Sequence, residues 1–304
     1  MMHIKANSNY QISGFMYDTF VSSLTDFVYL FMMISSFVMC LGYFDKVMAG
    51  KVNWTEFYKK RYIKILPFFA FLVFVDVVMS FDLPSLLEGL TELTLLHGFV
   101  PQELSVIGVG WYLGTVFVFY IIFPFFCVLI QTKKRAWISF AISMGIHMIC
   151  CYYFELNRHI ILFSLMYFLA GGLIFQYRES IKKVRWYVWA PITMASIVVF
   201  YLTNMNYFAI LLLSACLLMT AISISCKKNR YIGFISDISM EIYLSHMVMF
   251  RVVEKVHLNT MFGNGWGQYI ITCLFVLIGA ICFSFVCQKL INKVLVRAKL
   301  VEVR

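Results

Sequence analysis

Long apolar runs broken by short polar segments organise this chain. A membrane-crossing helix needs roughly 20 predominantly apolar residues. Nine segments carry that pattern, at about 24–44, 63–81, 109–130, 136–154, 159–176, 186–202, 205–225, 234–252 and 268–290. The breaks between them are of two kinds. Six cations between Lys46 and Lys64, three at Lys133–Arg135, four at Arg178–Arg185, three at Lys227–Arg230 and five from Lys289 onward make 21 of the 25 Lys and Arg. The alternate breaks and the spans hold only Lys5, Arg158, Arg251 and Lys255. Cytoplasmic loops concentrate Lys and Arg, so the first set is expected inside. The C-terminus then lies in the cytoplasm and the N-terminus of this chain outside.

The outer segments carry a weaker pattern. Residues 1–23 read as a polar outer linker with no cleavable leader pattern. Residues 82–108 hold Asp82, Glu88, Glu92 and Glu103 with no Lys or Arg. Within them Leu86, Leu90, Leu93 and Leu96 fall near helical spacing, and Ser85 with Glu88 fits a capping box. An amphipathic helix lying on or dipping into the outer face is expected. Gly263 to Gly267 read as a flexible outer turn with an interfacial Trp266.

Composition supports the same fold class. The chain is 62% hydrophobic and 13% charged, against about 45–50% and about 25% for soluble domains. An all-α, polytopic membrane helix bundle of about nine transmembrane helices, one domain over 1–304, is predicted. The net charge of +10 does not point to nucleic acid, because the cations are dispersed over separate loops. The nine cysteines, Cys226 among them, lie mostly in apolar runs without a Cys-x-x-Cys pair. Neither a metal site nor a disulfide framework is expected.

Ionisable groups inside a bilayer cost about 2.5–3.5 kcal/mol each by insertion scales, so each needs a reason. The segment ISDISMEIYLSHMVMFRVV (235–253) holds most of them. Asp237, Glu241 and Ser245 recur at i, i+4, i+8 on one face, with His246 beside Ser245 and Arg251 near the outer end. Such a stripe lines either a wet cavity or a helix–helix interface. Asp76 reads as a snorkelling interfacial acid or a site residue. His147 reads as a packing histidine, and His97, His159 and His257 as solvated outer residues. His3 stands in the N-terminal tail. The run FYKKRYIKILPFF (57–69) carries Lys59, Lys60, Arg61 and Lys64. It is either a topology anchor or an anion site.

Four segments, in order, resemble the acyltransferase-3 family of bacterial multi-pass membrane acyltransferases. They are YLFMMISSFVMCLGYF (29–44), FYKKRYIKILPFF (57–69), VGWYLGTVFVFYIIFPFF (109–126) and ISDISMEIYLSH (235–246). The resemblance implies a bundle of about ten helices in the bacterial inner membrane. It further implies a donor, acyl-CoA, with acetyl-CoA the expected form, and no permanently bound cofactor or metal. The acceptor it implies is a hydroxyl of a cell-surface glycan or lipid-linked saccharide. His3 then takes the place of the family's catalytic histidine. Lys59, Lys60, Arg61 and Lys64 hold the CoA phosphates, and Trp111, Tyr112, Asp237, Glu241, Ser245 and His246 form an acceptor-side or a structural polar cluster. The family's first helix, with an Arg about ten residues before this His, has no counterpart here, so a start upstream of Met1 is expected. Ser36, Lys64 and Val116 depart from the family pattern, where Gly, Arg and an acid are usual. Lys offers a phosphate a point charge without the bidentate fork of Arg. A transporter or flippase, and an inactive remnant of the enzyme, are the competing readings.

Overall fold

The computed structural model describes residues 1–80, 82–100, 108–156, 158–224 and 229–297. Glu103, Cys226, Lys227, Lys228 and the tail beyond Arg297 lie outside them. Every regular element among the described residues is helical. In chain order these are α1 (Met2–Ala6), α2 (Val28–Met48), α3 (Trp54–Ser80), α4 (Leu83–Leu93), α5 (Trp111–Leu129), α6 (Lys133–Tyr152), α7 (Ile161–Lys183), α8 (Trp186–Leu202), α9 (Tyr207–Ser223), α10 (Arg230–Lys255) and α11 (Trp266–Arg297). A π-helical turn, Met16–Val21, and a 3-10 turn, Leu24–Phe27, lead into α2, and a second 3-10 turn spans His97–Phe99.

The nine apolar segments coincide with α2, α3 and α5 to α11. Among the described residues four stretches are long and apolar enough to cross a membrane: Met16–Met48, Trp111–Leu129, Ile161–Lys183 and Trp266–Arg297. Trp186–Leu202 and Tyr207–Ser223 are apolar but shorter. The outer surface agrees with a bilayer, since Phe125 is 75% exposed and Leu202 77%. Pro67, Pro124 and Pro191 sit inside helices, which neighbouring helices in a membrane bundle tolerate. Short polar residues set several helix starts. Thr132 accepts from Arg135 N, Asn206 from Ala209 N and Asn229 from Tyr231 N, each satisfying an otherwise orphaned N–H.

Helix α7 is the centre of the bundle, with every residue from Met166 to Phe175 buried. Association in lipid rests on close backbone approach, and Gly171 supplies it. A Cβ there would sit 2.0 Å from Ser36 Oγ and 2.2 Å from the Met33 carbonyl of α2. Ser36, the departure from the family's Gly, is thus accommodated by a glycine on the facing helix, and its hydroxyl is satisfied by Met33 O at 3.0 Å.

Several sequence expectations are corrected. Residues 1–23 are docked rather than a free linker. Ile4 is buried, Lys5 Nζ donates to Tyr17 O at 2.8 Å and Ser22 Oγ at 2.7 Å, and Tyr17 and Val21 join the packing against α10 and α11. Lys59 to Lys64 lie inside α3, not in a loop. Helix α4 is capped by Asp82, whose carboxylate accepts from Ser85 N at 2.7 Å, not by a box starting at Ser85. Its Leu83, Leu86, Leu87 and Leu90 face outward while Gly89 packs on Val73 and Val77. Leu96 lies beyond its end. Trp266 opens α11 instead of sitting in a free turn, and Gln11 N donates to Asn264 O at 2.9 Å.

Candidate functional site

Two polar clusters lie at opposite ends of α2, α3, α5 and α10, named outer and inner after the orientation expected from the cation distribution. At the outer end, docking of α1 brings the His3 ring to 5.2 Å from the His246 ring of α10, 243 residues away. The His246 Nδ1–H donates to the Tyr243 carbonyl one turn back. In the neutral ring this leaves Nε2 as an acceptor. Burial holds the His3 pKa below the usual histidine range, and the N-terminal ammonium and Arg158 push the same way. His3 is therefore neutral near pH 7, as a base must be.

Tyr243 and Tyr112 extend this cluster inward. Their rings meet edge-on at 5.6 Å. Tyr243 OH donates to Val109 O at 2.9 Å, and Tyr112 OH shares a hydrogen bond with Ser35 Oγ at 3.2 Å. Trp111 turns to the other side, between the Arg158 guanidinium at 5.1 Å and the His159 ring at 5.0 Å. Arg158 also donates to Thr25 Oγ1 at 3.3 Å.

At the inner end, Arg61 is half-buried among three aromatic rings. Its guanidinium carbon lies 4.8 Å from the Phe57 ring centre, 5.0 Å from Tyr43 and 5.5 Å from Tyr120. It has no acidic partner among the described residues and donates only to Met39 Sδ, at 3.3 Å. Cation–π contacts desolvate a guanidinium without neutralising it, so the charge stays available to an anion. Lys59, Lys60 and Lys64 are exposed on the same helix. Tyr112, at one cluster, and Tyr120, at the other, are eight residues apart in α5, about 12 Å along its axis.

The remaining site candidates divide. Glu241 is buried, within electrostatic reach of Lys64. Ser245 is buried and shares a hydrogen bond with Ser284 of α11 at 3.1 Å. Asp237 is exposed, because the stripe emerges from the bundle toward the start of α10. Arg251 pairs with Asp76 of α3 at 2.6 Å, a contact no local pattern indicated. His147 is buried, its Nδ1–H donating to Phe163 O at 2.8 Å.

His97 is buried rather than solvated. Leu95, held at φ 59, turns the chain so that the His97 Nε2–H donates to Gly110 O at 3.1 Å. A Cβ on Gly114 would lie 2.3 Å from that ring, so glycine is required at this approach. His159 is half-buried against Trp111. Arg158 and Tyr243 were missed as members of the outer cluster. The one available signal for Arg158 was its place among the few outer cations. Among the described residues no group of three or more His, Cys, Asp or Glu is arranged to hold a metal ion.

A protein-family model described as an acyltransferase domain matches residues 2–285. No curated protein and no solved structure matches the chain.

Proposed function

The chain belongs to the acyltransferase-3 family of membrane acyltransferases, and from that premise we propose that it transfers an acyl group, acetyl by preference, from cytoplasmic acyl-CoA to a hydroxyl of a cell-surface glycan or lipid-linked saccharide. The observation that carries this reading is the meeting of His3 and His246 at the outer end of the cluster. The helices α2, α3 and α5 to α11 are all read as spans of a bacterial inner membrane in one domain, with the C-terminus of this chain inside.

In this reading the CoA phosphates rest on Arg61, with Lys59, Lys60 and Lys64 adding charge. The thioester is presented about 12 Å farther along α5, beside Tyr112 and Tyr243. His3 removes the proton of the acceptor hydroxyl as its oxygen attacks the thioester carbon. The C–S bond breaks, the ester C–O bond forms, and CoA leaves as the thiol after taking up a proton. His246, tethered through Nδ1, orients the acceptor or His3 through Nε2. Tyr112, with its hydroxyl bonded to Ser35, and Trp111 shape the acceptor side. Glu241 and Ser245 are buried supports of the same helix, and Asp237 lies at its exposed inner approach.

The test is label transfer from acetyl-CoA to the glycan fraction by membranes carrying the protein. Loss of transfer on His3→Ala with normal protein levels supports the assignment. Unaltered transfer would sink it.

A further inference from the structure

Away from both clusters, residues of α6, α7, α8 and α9 line a partly open cavity of about 610 Å³. Its lining is almost wholly apolar and includes Phe140, Ile174, Trp189, Leu212, Ala215 and Met219. Along α9 it reaches from Phe208 to Met219. That length is about 16 Å, roughly half of a ~30 Å hydrocarbon core. It therefore matches one acyl chain of one leaflet and not a whole membrane thickness.

The polar end of the groove is strongly basic. Tyr177, which lines it, accepts a hydrogen bond from Trp137 Nε1–H at 3.1 Å and carries Lys133 Nζ 4.7 Å from its ring centre. Lys134, Lys183 and Arg185 stand at the same end of these helices. The one acid there, Glu179, is already engaged by Lys182 at 3.2 Å and Arg178 at 3.5 Å. Lys133, Lys134, Lys183 and Arg185 have no acidic partner among the described residues. Cations at an apolar mouth attract an anionic headgroup.

We propose that this groove binds one acyl chain of an anionic glycerophospholipid whose phosphate docks on Lys133 and Arg185. The proposal is independent of the acyl-transfer reading, because none of these residues belongs to either polar cluster.

Native mass spectrometry of detergent-purified protein, equilibrated with equal amounts of phosphatidylglycerol and phosphatidylcholine, tests it. Wild type is expected to retain one phosphatidylglycerol at least fivefold over phosphatidylcholine. Ala215→Phe, which fills the groove, is expected to lose that lipid about tenfold, whereas Val198→Phe on the outward face of α8 keeps it. Neutralising Lys133→Gln with Arg185→Gln is expected to remove the preference for the anionic lipid. Equal retention of the two lipids by wild type, or equal behaviour of Ala215→Phe and Val198→Phe, overturns the proposal. If Ala215→Phe does not accumulate, brominated phosphatidylglycerol titrated into wild type decides the matter. Quenching of Trp137 and Trp189 that saturates at one equivalent, and is lost in a Trp137→Phe, Trp189→Phe protein, supports it. Quenching that rises without saturation, or equally with brominated phosphatidylcholine, overturns it.

Discussion

The outer and inner ends of the central helices solve opposite electrostatic problems. At the outer end, neutral aromatic and imidazole groups from α1, α5 and α10 converge from distant parts of the chain, and His3 is held uncharged by burial and by nearby positive groups. At the inner end, one helix supplies all four cations, and aromatic rings hold Arg61 in place without cancelling its charge. Proton transfer needs a group that is neutral and positioned. An anion site needs charge that is positioned but not spent on a carboxylate. On the proposed function the two ends meet these two demands.

The sharpest test of this contrast is His3→Ala. It should lower kcat at least about 100-fold, the usual scale of a lost general base, with little change in the acetyl-CoA KM. An equal effect on KM alone would place His3 in binding. Gly171→Ala attacks both ends together, since α2 carries Ser35 toward one and Met39 and Tyr43 toward the other. Overpacking of this kind costs about 1–3 kcal/mol, read as a lower thermal midpoint in detergent with donor and acceptor kinetics impaired in parallel.

At the inner end alone, Arg61→Ala should raise the acetyl-CoA KM about tenfold, the size expected for one charged contact of about 1.4 kcal/mol. Arg61→Lys should recover only part of this, because an ammonium lacks the planar fork. A change in kcat without a change in KM would break the assignment of Arg61 to the donor.

The pH profile distinguishes the ends more gently. A base with a lowered pKa is neutral over a wider acid range, so activity should fall only below the ordinary histidine range of about 6.5. Arg158→Gln removes one of the groups that depress His3 and should move that acid limb upward in kcat/KM. Arg61→Ala should leave it in place. The smallest effect belongs to the Asp76–Arg251 pair, whose Arg is 58% exposed. Arg251→Ala should cost less than about 1 kcal/mol of stability, measured by the shift in thermal midpoint.

Much of this was legible along the chain, and for identifiable reasons. The spacing of apolar runs placed α2, α3 and α5 to α11, because a helix in lipid must satisfy its own backbone and carry an apolar surface over a set length. The cations of FYKKRYIKILPFF marked one end of α3 because charge beside an apolar run is visible locally. The leucines of α4 marked a helix, but of the expected face Leu86 and Leu90 point outward, Leu93 packs inward and Leu96 lies beyond the helix end, with Gly89 set against Val73 and Val77. His97 looked solvated until the turn at Leu95 folded it onto Gly114.

What the sequence by itself determined is the class of protein: a helical membrane bundle, its candidate chemistry and, through four ordered motifs, its family. Helix period, hydrophobic length and local charge are short-range properties, so they survive in one dimension. What only the tertiary structure decided is which of those residues meet. His3 reaches His246 because Ile4 and Lys5 dock α1. Asp76 finds Arg251 across 175 residues, and along the stripe of α10 Glu241 and Ser245 are buried while Asp237 is exposed. These outcomes depend on helix rotation and long-range packing, which no local spacing encodes.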